Sequence, residues 1–519
     1  MPPLLHIPTS VIELWQALMS LLDSYIIMPT LSEVLSPTRL RLRKRARDVV
    51  PHSQRNMHDF LFDVKSTFEA PLSLDSLLAM STQLQDEFRQ KLQSSTECML
   101  PSFSHTLPTG DERGTFLALD VGGTNFRVAL VELNGKDSTT SGMWMSKMRS
   151  FRIDNAVRSL PGAAFFDWMA EKIQEVLSQS DIQNTAVLSM GLSWSFPIAQ
   201  TSQKTGTILP MGKGFRASDG LIGKDLSLQL MEACRSKDLN VRVEAIINDS
   251  SATLLTRAFA DNATRIALIL GTGFNASAHL PVNLFSQEKF GSRPETWHEK
   301  AENVLVNTEL SMFGKTVFPL TKWDEQIKKN HPKPDYQPFE HLIAGRYLGE
   351  ITRLILLDAI KTAGLFGGEI PGNFSEEHSF DTAIMAAFES DETKHLSTAS
   401  AAFLAAHPLK WTPSHSELHM IRQICSLVTH RAAAFLATGT HALWYLRTTA
   451  EGLNPAKSGR ISIGCNGSVI ERYPSFKTVC QTYLDDLTTM SGAQPNSVML
   501  EPAVESAIFG AAVAASCED

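Results

Sequence analysis

The chain has 519 residues, 43% hydrophobic and 20% charged, which is enough to bury more than one core and too long for one ordinary domain. Its net charge of −8 at pH 7 supplies no basic field to draw it onto nucleic acid, so direct nucleic-acid binding is not expected. Six scattered cysteines, Cys98, Cys234, Cys425, Cys465, Cys480 and Cys517, form no C-x-x-C pair. That pattern argues against a disulfide framework or a zinc site and fits a reducing, cytoplasmic compartment.

The first predicted element, from Val11 to Leu35, is mostly apolar, but Glu13, Gln16, Ser20, Asp23 and Glu33 interrupt it. It makes a poor spanning helix and a better interfacial or docked one. No Lys or Arg precedes Arg39, against a matrix presequence and a charged signal start. Six basic residues then arrive together, Arg39, Arg41, Arg43, Lys44, Arg45 and Arg47. Contact with an anionic surface such as the mitochondrial outer membrane, nuclear import, and a plain solvated helix end all fit this run. Residues 1–49 are therefore set apart as an apolar plus basic extension that could meet a protein or membrane surface.

Strand and helix patterns alternate beyond it. "VLSMGLSWSF" and "VRVEAIIND" read as buried strands, and "GKDLSLQLMEACRSK" as an amphipathic helix, which together imply an α/β fold with mostly parallel sheet. The "LALDVGGTN" from Leu117 returns as "IALILGTGFN" from Ile266, an apolar strand entering a glycine turn that ends near Asn125 or Asn275. Two similar lobes facing a cleft account for the echo. Gly122, Gly123, Gly271 and Gly273 let the backbone turn tightly and approach phosphate oxygens, while Thr124 and Thr272 offer hydroxyls. Neither turn is a P-loop. Between them, "AIINDSSATLL" ends a strand at Ile247 and starts a helix near Ser250. Asp249 there is either an N-cap or a general base at a strand's carboxyl end. His415 and His419 of "HSELH" stand one helical turn apart without the H-E-x-x-H order, so a surface helix is expected.

In family order, "LDVGGTNFRVALVEL", "LSMGLSWSFPIAQTSQKTGTILPMGKGF", "IINDSSATLL", "LILGTGFNA", "VNTELSMFG", "FEHLIAGRYLGEITRLIL" and "NGSVIERYPSF" resemble the motifs of the eukaryotic hexokinase and glucokinase family, from about Ser53 onward. The resemblance implies a two-lobed actin-like ATPase fold of hexokinase type, with duplicated ribonuclease-H-like lobes and a ligand cleft between them. The large lobe would hold residues 50–104 and 248–496, and the small lobe residues 105–247 and 497–519. It implies ATP-dependent phosphorylation of a hexose such as glucose at the 6-hydroxyl. The implied sugar site is Ser195, Lys213, Asn248, Asp249, Asn275, Glu309 and Glu340, with Asp249 as base and Lys213 offsetting phosphoryl charge. Asp120 would orient Mg²⁺ through water. Gly122, Gly123, Thr124, Asn125, Gly271, Thr272, Gly273, Thr382, Gly467 and Ser468 would hold ATP.

The departures from the pattern are clustered. Gly212 stands where the family usually has Thr, at a cost of about 1 kcal/mol for one lost hydrogen bond. Phe274 replaces a smaller residue. Asn466, Gly467 and Ser468 stand for Asp-Gly-Ser, and Ser506, Ala507 and Ile508 for a Gly-Ser-Gly turn, with Ala386 at a position where some members have serine. An Ile excluding positive φ at such a turn implies weaker adenosine binding. An atypical, fungal-type hexokinase of low activity and a catalytically impaired regulator that binds sugar and signals through a partner both accommodate this.

Overall fold

The computed structural model describes residues 56–136, 142–180, 186–212 and 214–517. The Val11 to Leu35 stretch, the basic run and Lys213 lie outside the described residues, and no helix among those described is long and apolar enough to cross a membrane. Helices α1 (Met57–Glu69) and α2 (Leu74–Ser94) come first, capped by the side chains of Asn56 and Ser73. After the short strand β1 (Leu100–Pro101) follow β2 (Arg113–Val121), β3 (Asn125–Asn134), β4 (Met143–Arg152), α3 (Ala163–Leu177), β5 (Leu188–Trp194), α4 (Leu226–Arg235) and β6 (Val241–Ile247). Then come α5 (Asp249–Ala260), β7 (Thr264–Leu270), β8 (Phe274–Pro281) and β9 (Asn303–Asn307). Helices α6 (Lys322–Asn330), α7 (Glu340–Ile343), α8 (Gly345–Ala363), α9 (Thr382–Ser390) and the 36-residue α10 (His415–Ala450) build out the large lobe. The chain continues through β10 (Ile461–Asn466), α11 (Ser468–Arg472), α12 (Phe476–Met490), β11 (Val498–Pro502) and α13 (Ser506–Ser516).

The two main sheets repeat one plan. The first runs β4-β3-β2-β5-β6 and the second β1-β9-β8-β7-β10-β11. In each, three parallel strands (β2, β5, β6 and β7, β10, β11) continue through antiparallel hairpin partners of the first, β3 and β4 or β8 and β9. The glycine turns are equivalent hairpin turns, β2 to β3 and β7 to β8, so the sequence echo is a fold duplication. Because β11 pairs with β10, the segment from residue 497 onward divides between the sheets: its strand joins the second and its helix covers the first.

The helices after the third parallel strands cross over. Helix α5 packs on β7, β8 and β10, α13 packs on β2, β5 and β6, and the two pack on each other. Their sequences permit this, since "SAIFGAAVAAS" presents small side chains on nearly every face. A Cβ on Gly510 would collide with the Ala252 carbonyl, and one on Gly191 of β5 with the Ala511 carbonyl. Ala118, Ala245, Ala252, Leu255, Ala267, Ile508 and Ala511 share one buried cluster spanning both sheets. Separate larger cores fill each lobe. The capping box of Ser414 and Glu417 starts α10, which packs on α1, α2, α8, α9 and α12.

Candidate active site

Asp120 of β2 lies opposite Ser193 of β5, which lies opposite Ile247 of β6. Asp120, Ser195 and the pair Asn248–Asp249 therefore stand at the carboxyl ends of three adjacent parallel strands, the edge where open α/β sheets hold ligands. Asn248, and not Asp249, is the N-cap of α5: its Oδ1 accepts from Ser251 N–H at 2.9 Å and from the Ser250 hydroxyl at 3.1 Å. Relieved of capping, Asp249 occupies the first helical position, with Oδ1 accepting from Ser250 N–H at 2.8 Å. There the helix dipole favours a carboxylate. Ser195 N–H donates to Val121 O at 3.1 Å, which puts Ser195 beside the first glycine turn.

Across the cleft, amides and carboxylates interlock. Asn275 Nδ2 donates to Asn307 Oδ1 at 3.0 Å and to Glu309 Oε1 at 3.3 Å, and Asn307 Nδ2 donates to the same Glu309 oxygen at 2.8 Å. Glu309 is held in the left-handed region at φ 48°. Glu340 Oε2 accepts from Phe274 N–H at 2.8 Å. Helix α7, which it opens, lasts four residues before Ala344 breaks the run and the long helix α8 begins at Gly345. The Phe274 ring turns inward and meets Phe339 edge-on at 5.2 Å. The Ser277 hydroxyl donates to Ser250 O at 2.7 Å and ties β8 to the start of α5, which brings Asn248 and Asp249 to the Asn275 group. Burial, together with the carboxylates of Glu309 and Glu340, pushes the Tyr336 phenol up.

The second glycine turn works through space more than through φ. Gly122, Gly271 and Gly273 are absent from the left-handed residues. A Cβ on Gly271 would come 3.3 Å from Ser468 N, and one on Gly273 would come 2.9 Å from Glu340 Oε2. The second turn is thus pressed between α11 and Glu340. Gly345 N–H donates to Gly271 O at 2.8 Å, and the Thr382 hydroxyl donates to Gly345 O, which gathers Gly271, Thr272, Gly273, Thr382, Gly467 and Ser468 around converging helix starts. In the first turn Gly122 N–H donates to Asn125 O at 3.0 Å, Gly123 O accepts from Arg158, and Asn125 Nδ2 meets the exposed Thr124 hydroxyl at 3.3 Å.

Three contributors lie beyond the sequence-derived set. Arg127 pairs with Asp120 Oδ2 at 2.8 Å and with Glu505 Oε2 at 2.8 Å, and Asn307 completes the Glu309 network. Arg127 was legible as a cross-strand partner, since it and Asp120 are equally distant from the turn. Asn307 lies inside a quoted motif, whereas Glu505 has no local signal.

The Ser506–Ile508 departure takes a different form from the one its sequence indicates. The left-handed residue is Glu505, at φ 48°, and Ser506 already begins α13. Ile508 is wholly buried, in the apolar cluster that spans both sheets. Asn466 replaces an acid with a donor, its Nδ2 reaching Ala503 O at 3.0 Å. Gly212 sits at φ 69°, a region that β-branched residues avoid, so the backbone there follows a path a Thr would strain.

Two lobes of one strand plan, each with a glycine turn between the first two strands of its sheet, and carboxylates at strand ends, define the actin-like sugar-kinase fold. The chain belongs to the hexokinase family. Two family models, both described as Hexokinase, match residues 64–259 and 265–517. Hexokinase-1 of Schizosaccharomyces pombe is 31% identical over 428 residues, covering 81% of this chain and 82% of its own length. Hexokinase-2 of Solanum tuberosum is 30% identical over 427 residues, covering 80% and 82%. Among solved structures, a hexokinase from Schistosoma mansoni complexed with glucose matches at TM-score 0.72 and 26% identity, covering 89% of this chain and 100% of that one. The protein is a transferase that phosphorylates a hexose with ATP.

Proposed function

We propose that the hexose is glucose, phosphorylated at its 6-hydroxyl with Asp249 as general base. The observation that carries this reading is the placement of Asp249 just past a strand's carboxyl end, in the first helical position behind the Asn248 cap, and tied through Ser250 and Ser277 to the strand that carries the Asn275–Asn307–Glu309 network. Carboxylates and amides arranged in this way can bracket vicinal hydroxyls and reject sugars lacking them. Asp249 takes the hydroxyl proton as the oxygen attacks the terminal phosphorus of ATP, and ADP leaves. The gathered helix starts offer N–H groups and positive dipole ends to the phosphates.

The donor set fits Mg²⁺, which keeps most of its waters and takes few protein carboxylates. Asp120 would hold it beside the first turn, while Arg127 keeps that carboxylate oriented through Oδ2. The ion, when bound, neutralises charge on the phosphoryl oxygens. The Ser506–Ile508 departure, with the N-terminal extension, is the support for a non-catalytic regulator, and Ile508 itself is a buried core residue. The apolar and basic extension, residues 1–49, remains our candidate for an anionic membrane surface or partner protein.

The test combines calorimetric titration of glucose with a coupled assay for glucose 6-phosphate. Wild-type protein should bind and turn over glucose, and Asp249→Ala should still bind it while kcat falls about 10²- to 10⁴-fold. Glucose binding without turnover by the wild type would refute the kinase mechanism.

A further inference from the structure

Gly439 lies in the interior of α10, among alanines that suit a helix better than glycine does. Space explains the exception. A Cβ there would come 2.7 Å from Cε1 and 3.1 Å from Cζ of Phe339, and 3.8 Å from Cδ2 of Leu310. Phe339 immediately precedes Glu340, and Leu310 immediately follows Glu309. The bare point on the helix thus faces the two backbone segments that carry the cleft's carboxylates.

Phe339 has nowhere to retreat. Its ring is fully buried, edge-on to Phe274 at 5.2 Å and 4.5 Å from Phe318, which in turn packs at 4.7 Å on Phe435, one turn before Gly439 on the same helix. Phe274 also donates its N–H to Glu340 Oε2, so the ring pair and the carboxylate are joined at both ends. In a close-packed interior a push on the ring is passed on rather than absorbed.

We propose that Gly439 is a positioning residue: together with the Phe274–Phe339 pair it sets the placement of Glu309 and Glu340, and through them the affinity for hexose, without touching the sugar. This rests on the reading that Glu309 and Glu340 bind the hexose.

The test measures kcat and KM for glucose and for ATP, glucose binding by calorimetry, and thermal melting, in Gly439→Ala, Phe274→Leu and Glu340→Gln. Gly439→Ala and Phe274→Leu should each raise the glucose KM about tenfold while the ATP KM stays within about twofold. Adding Phe339→Leu to Gly439→Ala removes the ring atoms that the new methyl meets and should recover part of the loss. A folded Gly439→Ala protein with wild-type glucose KM overturns the proposal, as does an equal rise in both KM values, which would mean general loosening. If Gly439→Ala does not fold, Phe274→Leu, which adds no bulk, decides by the same criteria. Wild-type glucose binding by Glu340→Gln identifies the hexose-site reading as the failed step and removes the proposal with it.

Discussion

At the scale of single residues, the site is built on a carboxylate oxygen shared between amide donors. Glu309 Oε1 accepts from two amides, Asn307 at 2.8 Å and Asn275 at 3.3 Å, so its orientation depends mainly on the nearer. Asn307→Ala should therefore raise the glucose KM about tenfold and alter kcat less, the mark of lost ground-state positioning, checked by steady-state kinetics. Residue identities in this network were readable where a motif quoted them, as for Asn275, Glu309 and Glu340. The bonds were not, because each joins strands or loops whose pairing no local pattern encodes. Asn248 and Asp249 illustrate the limit: the spacing places both at a helix start, but only the geometry shows which is the cap and which the first helical residue.

At the scale of elements, the alternating runs around the two glycine turns gave β2, β3, β7 and β8 a clear signature. The exchange of α5 and α13 between sheets left no local trace, since it depends on contacts between residues about 250 positions apart, such as Thr253 with Ser506 at 2.9 Å. Gly510→Ala tests that interface. The added methyl meets the Ala252 carbonyl, and overpacking against backbone should cost about 1–3 kcal/mol, read as a lower urea midpoint. A midpoint equal to wild type would mean that α13 can shift without loss.

For the molecule as a whole, buried histidines make stability depend on pH. Burial depresses His279 to about 4, His341 to about 4 and His441 to about 3, and it lowers His407 as well. His441 shows why burial suits the neutral ring, with Nδ1 2.7 Å from the Ser81 hydroxyl and Nε2 2.9 Å from that of Ser491. Between the unfolded value near 6.5 and these lowered values, the unfolded chain binds more protons than the folded one. Stability is therefore full above about pH 6.5 and falls as the pH drops toward 4, each such histidine contributing a slope of up to about 1.4 kcal/mol per pH unit. Melting temperatures measured from pH 7.5 to 5 should decline, and His441→Gln should flatten the decline.

The crossover of α13 also bears on how the protein is made. The sheet face it covers is complete once β6 has been made, and roughly 260 residues must then be translated before α13 emerges. At about 5–20 residues per second that interval lasts roughly 13 to 52 s, during which the apolar face of the first sheet has no cover of its own. A nascent chain in that condition is a client for a chaperone, and a ribosome stalled anywhere before residue 506 would release a half-built lobe prone to aggregate rather than a smaller working enzyme.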